Sequence, residues 1–132
     1  MTKIRQLNLF EKMTKVSTKN CFSYNRCIIF AVSRDLVARA IGENGKNTKQ
    51  LAGIIGKKIK VVSIPRNNEE IKRFISVIIS PIEVKNIDIN EKEVIISAYR
   101  QNKASLIGRN KTRLQELQQI VKEQLGKELK IA

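Results

Sequence analysis

The sequence predicts an α+β chain built from two copies of one small module. Two observations lead to this. The segment Ile41-Gly42-Glu43-Asn44-Gly45-Lys46 returns in altered form as Ile107-Gly108-Arg109-Asn110-Lys111, with an offset of 66 residues, half of the 132-residue chain. Around each copy, apolar residues run in the same order of helical and alternating or short β-branched patterns. A unit of this size is near the lower limit for independent folding, so the two copies are expected to pack together. The hydrophobic fraction of 42% supports a real core in each.

The first half, residues 1–66, begins with Thr2 as a candidate cap for a helix whose inward residues are Ile4, Leu7, Met13 and either Leu9 or Phe10. Phe22 and Tyr24 alternate with polar residues, Asn25-Arg26 suits a turn, and Cys27 to Val32 reads as a buried strand. Ser33 is placed to cap a helix carrying Leu36, Val37, Ala40 and Ile41 on one face. Gly42 to Gly45 interrupts it. A second helix follows with Thr48, Leu51 and Ile55 inward, and Gly56 suits the left-handed residue past its end. Lys57 to Ile64 reads as a strand. Pro65 to Asn68 is the clear linker.

The second half, residues 67–132, repeats the order. Asn67 with Glu70 three residues later resembles a capping box, and Ile71, Phe74, Ile75 and Ile78 form the apolar stripe of the helix that Pro81 ends. Ile82 and Val84, then Ile87 and Ile89, change parity near Asn86, which predicts a β-bulge. Asn90 to Glu93 is a turn and Val94 to Ile96 the returning strand. A helix through Ala104 to Ile107 leads into the second loop. The last helix places Leu114, Leu117, Val121 and Leu125 on one face, and Leu129 and Ile131 close a final strand. Each half therefore reads helix, strand, strand, helix, loop, helix, strand.

Charge narrows the function. Lys and Arg number 26 against 12 Asp and Glu, for a net charge of +14. The imbalance calls for a polyanionic partner, and it is uneven: residues 1–66 carry +11 and residues 67–132 carry +3. With no histidine and only Cys21 and Cys27, a four-ligand metal site is not expected, and the two thiols read as small buried hydrophobes. There is no Walker A loop and no cysteine beside a base, so neither a catalytic residue nor a cofactor is expected. No apolar run reaches the length of a membrane span, and the N-terminus lacks a secretory signal, which points to a cytoplasmic protein with no membrane partner.

The two loops suit an anion. A helix start offers backbone N–H groups and the positive end of the helix dipole to a phosphate. Glycines at 42 and 45 allow a sharp turn and close approach. Glu43 and Asn44 sit at the tip, Glu43 directed to solvent. Lys46 and Lys49 lie one turn apart on the following helix, Arg39 lies on the preceding one, and Ala40 and Ile41 form an apolar floor. In the second copy Ile107, Gly108, Arg109, Asn110, Lys111 and Arg113 hold the matching region. Lys111 stands where the last glycine would be, which costs about 1 kcal/mol if φ is positive there. The first loop is thus expected to bind in the standard way and the second to be weaker or altered. Lys57, Lys58 and Lys60 are peripheral.

Ala40-Ile41-Gly42-Glu43-Asn44-Gly45-Lys46-Asn47 and Leu106-Ile107-Gly108-Arg109-Asn110-Lys111, set in this order of elements, resemble the type II KH domain. Two such units in a chain this short look like the archaeal NusA-like transcription factors. The resemblance implies two tandem type II KH domains, each αββααβ, with a small mixed three-stranded sheet and helices packed on one face. It implies single-stranded RNA as the partner, about four nucleotides per module, and a role in transcription elongation, termination or antitermination. Bacterial relatives add a polymerase-binding domain and a further RNA-binding domain, for which 132 residues leave no room, so a contact with RNA polymerase must come from the KH pair or from another protein. A role on ribosomal particles, in ribosome assembly or rRNA maturation, stays open, as does a basic adaptor for an acidic protein. A monomer is expected.

Overall fold

A computed structural model describes residues 2–132; Met1, the first residue of the expected first domain, lies outside the described residues. The chain divides into two compact units that part between Pro65 and Arg66.

In the first unit, α1 (Lys3–Thr14) is followed by the strands β1 (Asn20–Tyr24) and β2 (Cys27–Val32), the helices α2 (Val37–Ile41) and α3 (Lys46–Ile55), and β3 (Lys58–Ser63). β2 is central, antiparallel to β1 and parallel to β3, so the sheet is mixed. Asn25 and Arg26 both have positive φ, 49° and 62°, the combination a two-residue hairpin turn needs to match strand twist. Phe10, Ala40 and Leu51 from the three helices pack with Cys21, Ile28, Phe30, Val32 and Ile59 from one face of the sheet. The rings of Phe10 and Phe30 stack with centroids 4.2 Å apart. All six residues of β2 are buried, which explains its unbroken apolar run.

The second unit repeats this with α4 (Asn68–Ile79), β4 (Val84–Ile89), β5 (Glu93–Ala98), α5 (Arg100–Ile107), α6 (Thr112–Leu125) and β6 (Glu128–Ile131), and β5 is again central. Ile87, Val94, Ile96 and Leu129 are buried on one face of its sheet. The other face is polar: the Asn86 amide donates to Asp88 at 2.9 Å, and Lys130 pairs with Glu93 at 3.0 Å, holding that carboxyl below its usual range. The register shift between Val84 and Asn86 is the bulge expected from the parity change.

Caps set the helix starts. Thr2 accepts from the Arg5 N–H at 3.3 Å, and Asn67 accepts from the Glu70 N–H at 2.9 Å. The Glu70 carboxylate turns back in the manner of a capping box, accepting from the Arg66 N–H at 3.2 Å and from the Asn67 side-chain amide at 3.3 Å. Ser33 makes no side-chain cap bond; the chain enters α2 through a 3-10 turn, Arg34–Leu36. The inward face of α1 also differs from expectation. Gln6, Phe10 and Thr14 are buried, while Ile4 is 71% exposed. The two cysteines do not face one another. Cys21 lies opposite Phe30 and Cys27 opposite Tyr24, and both are free and buried. Burial pushes the Cys21 thiol up to about 11 against the opposing pull of Lys3.

Candidate nucleic-acid interface

Each unit joins a short helix to a longer one through the same loop. In the first, α2 ends at Gly42 with φ 81° and ψ 165°, a region open essentially to glycine alone. Asn44 follows at φ 56° and ψ 26°, then Gly45 at φ 73° and ψ 21°, where α3 begins. In the second, Gly108 has φ 76° and ψ 169°, Asn110 φ 55° and ψ 29°, and Lys111 φ 61° and ψ 21°. The two backbones therefore follow one path despite different side chains. Asparagine at the left-handed tip position fits, since it tolerates that region better than most residues.

The two glycine positions are not equivalent. A Cβ on Gly42 would sit 3.0 Å from the Asn47 side chain and 3.1 Å from its backbone nitrogen; on Gly108 it would sit 2.6 Å from Cγ of Arg113. A Cβ on Gly45 would meet nothing nearer than Thr48 Oγ1 at 3.5 Å. The first glycine is required by space and dihedral together, the last by dihedral alone. That is why the second copy keeps Gly108 and accepts Lys111.

The starts of α3 and α6 carry no side-chain cap and no acidic residue in the first turn. Neither first turn places a carboxylate of its own against an incoming anion. Glu43, Asn44, Lys46 and Lys49 are exposed around the first loop, and Arg39 is exposed on α2. Lys49 folds back so that its Cε lies 3.7 Å from where a Gly45 Cβ would stand, which brings its charge beside the loop. Ile41 and Ile107 are half-buried beside their loops, and Arg109, Asn110 and Lys111 are exposed.

Two expected contact residues have other tasks. Ala40 is 0% exposed and belongs to the core, so it supports the floor from beneath and offers no surface to a ligand. Arg113 is half-buried and bound to Glu116 at 2.6 Å, so its charge is matched within the helix and its stem braces Gly108. Asn47 has a role that residue type did not reveal: its amide donates to the Arg39 carbonyl at 3.2 Å and ties the start of α3 to α2. Its place in the first turn after the loop was the available signal. Among the described residues no group of three or more His, Cys, Asp or Glu stands ready for a metal, and no helix is long and apolar enough to cross a membrane.

No protein-family model matches the chain. It is similar to a protein of Methanococcus vannielii named probable transcription termination protein NusA, 30% identical over 109 residues, which make up 80% of this chain and 61% of that protein. A protein of the same name from Halococcus morrhuae is 27% identical over 90 residues, 68% of this chain and 63% of that one. The chain thus spans about three fifths of the length of these relatives. Among solved structures, the crystal structure of APE1850 has a TM-score of 0.65 at 24% identity, covering 98% of this chain and 96% of that one, which shows a shared fold.

Proposed function

We propose that the chain is a non-catalytic, single-stranded RNA-binding protein made of two tandem type II KH domains, and that it serves transcription as a NusA-like elongation or termination factor. The observation that carries this reading is the loop itself. Two uncapped helix starts are presented by one unusual backbone path, and the first is flanked in the chain by exposed Arg39, Lys46 and Lys49, with Glu43 in the loop. A phosphodiester can approach such a backbone where a glycine leaves it bare, and the flanking cations then take the neighbouring phosphates. The names of the two archaeal relatives support the transcription role, and the chain's charge supports a nucleic acid over a neutral partner.

Fluorescence titration of a single-stranded RNA about eight to twelve nucleotides long, enough for two KH clamps, against a duplex of the same sequence tests the binding class. The expected result is preference for the single strand and an affinity that falls by about 0.7 log units per tenfold rise in salt for each phosphate neutralised. Equal or tighter binding of the duplex, or no binding of RNA at physiological salt, would refute it. Capture of RNA polymerase subunits by the tagged protein from its own cells is the expected outcome for the transcription role; capture of ribosomal particles instead would move the same RNA-binding chemistry to ribosome assembly.

A further inference from the structure

The two units differ by more than their loops. α1 and α4 stand 65 residues apart, whereas β2 and β5, and likewise α3 and α6, begin 66 apart. The additional residue falls in the β4 bulge: Asn86↔Ser97 and Ile87↔Ile96 match Asn20↔Ala31 and Cys21↔Phe30 at the later offset, and the shift comes between Val84 and Asn86, at Lys85. A bulge re-aims the side chain it carries. Here the Lys85 ammonium lies over the ring of Tyr99, 5.9 Å from its centroid.

Tyr99 is itself out of keeping with the rest of the chain. Phe10, Phe22, Tyr24, Phe30 and Phe74 are buried, while Tyr99 is 38% exposed. It is held in place as the residue preceding α5, its carbonyl accepting from the N–H groups of Asn102 at 2.9 Å and Lys103 at 3.1 Å. The Asn102 amide donates to the Glu83 carbonyl at 3.0 Å, which fastens the chain before β4 to α5. At the matching places of the first unit stand Ser33, Asp35 and Val37, where the second has Tyr99, Gln101 and Lys103. An aromatic ring is gained, a carboxylate is lost and an ammonium is gained, all at one helix start. Arg100 and Lys103, one and four residues after Tyr99, are exposed in the first turn of α5.

We infer that Tyr99, with Lys85 behind its ring and Arg100 and Lys103 in the helical turn that follows it, is a base-stacking platform by which the second unit holds single-stranded RNA. The inference rests on the RNA-binding reading above and adds a contact that the loop does not supply. A nucleobase stacks on the ring face that Lys85 leaves uncovered, and the cations meet the phosphates on either side. α5 separates Tyr99 from Gly108 by about 12 Å, so a single strand lying along that helix can meet both the platform and the loop.

The test compares wild type with Tyr99→Phe, Tyr99→Leu and Tyr99→Ala, titrating a fluorescent RNA about twelve nucleotides long, a length chosen to pass both the platform and a clamp. Leucine and alanine are expected to weaken binding about tenfold, and phenylalanine by less than about twofold, as for the loss and retention of one stacked base. The chain has no tryptophan and only two tyrosines, of which Tyr24 is buried. RNA is therefore expected to quench the wild-type tyrosine emission, and the quench to vanish in Tyr99→Phe. Wild-type affinity in Tyr99→Ala or in Tyr99→Leu overturns the platform while leaving RNA binding intact. A loss in Tyr99→Phe equal to that in Tyr99→Ala also overturns it, since the hydroxyl would then carry the contact. A wild-type protein that fails to bind RNA removes the functional reading as well.

Discussion

Gly42 and Gly45 serve one loop for different reasons, and the difference is measurable. Gly42 combines φ 81° with ψ 165°, and a methyl group there would press on Asn47 at 3.0 Å. Gly45 needs only the left-handed region, which Lys111 already occupies in the second copy at φ 61°. Gly45→Lys is expected to cost about 1 kcal/mol of stability, the ordinary penalty for a side chain in that region. Gly42→Ala is expected to cost about 2 kcal/mol or more, from backbone strain and crowding together. Urea denaturation of the two variants checks this; equal costs would show that the loop relaxes around a side chain at either position. The need for glycine at 42 and 108 was legible in the sequence from the repeat. That Arg113 would brace Gly108 and pair with Glu116 was not, because its position beside the loop suits a phosphate contact just as well.

At the scale of elements, the strands and the second-unit helices followed their patterns closely, and the β4 bulge was readable because a parity change in a strand has few other causes. α1 was harder. Its buried face carries two polar residues: Thr14 Oγ1 donates to the Phe10 carbonyl at 2.7 Å and accepts from the Val16 N–H at 3.1 Å, and Gln6 Oε1 accepts from the Cys21 thiol of β1 at 3.7 Å. A hydrophobic pattern cannot announce such a face: it places Ile4 inward, and Ile4 lies outward. α4 shows the opposite case, a helix whose start is written in two residues. Asn67 caps the Glu70 N–H, and the buried Glu70 carboxylate returns to Arg66. Asn67→Ala is expected to lower stability by about 1 kcal/mol, and thermal unfolding reads it directly. A change below a few tenths would mean that the cap is replaced by solvent without loss.

For the whole molecule, the repeated module and the uneven charge point the same way. The first unit, residues 1–65, carries +10, both loop glycines and three exposed cations around its loop. The second, residues 66–132, carries +4 and a lysine in place of the last glycine, and Glu116 neutralises one of its arginines. The central claim is that the first loop is the principal clamp. The most direct measurement titrates one fluorescent single-stranded RNA against wild type, Asn44→Asp and Asn110→Asp. Each substitution adds a single negative charge at the same left-handed tip position, which aspartate also tolerates, so both glycine frames and the fold remain. Asn44→Asp is expected to weaken binding about tenfold or more through like-charge repulsion of the phosphate, and Asn110→Asp by only about two- to threefold. Equal losses from the two variants, or undiminished binding by Asn44→Asp, would contradict the account.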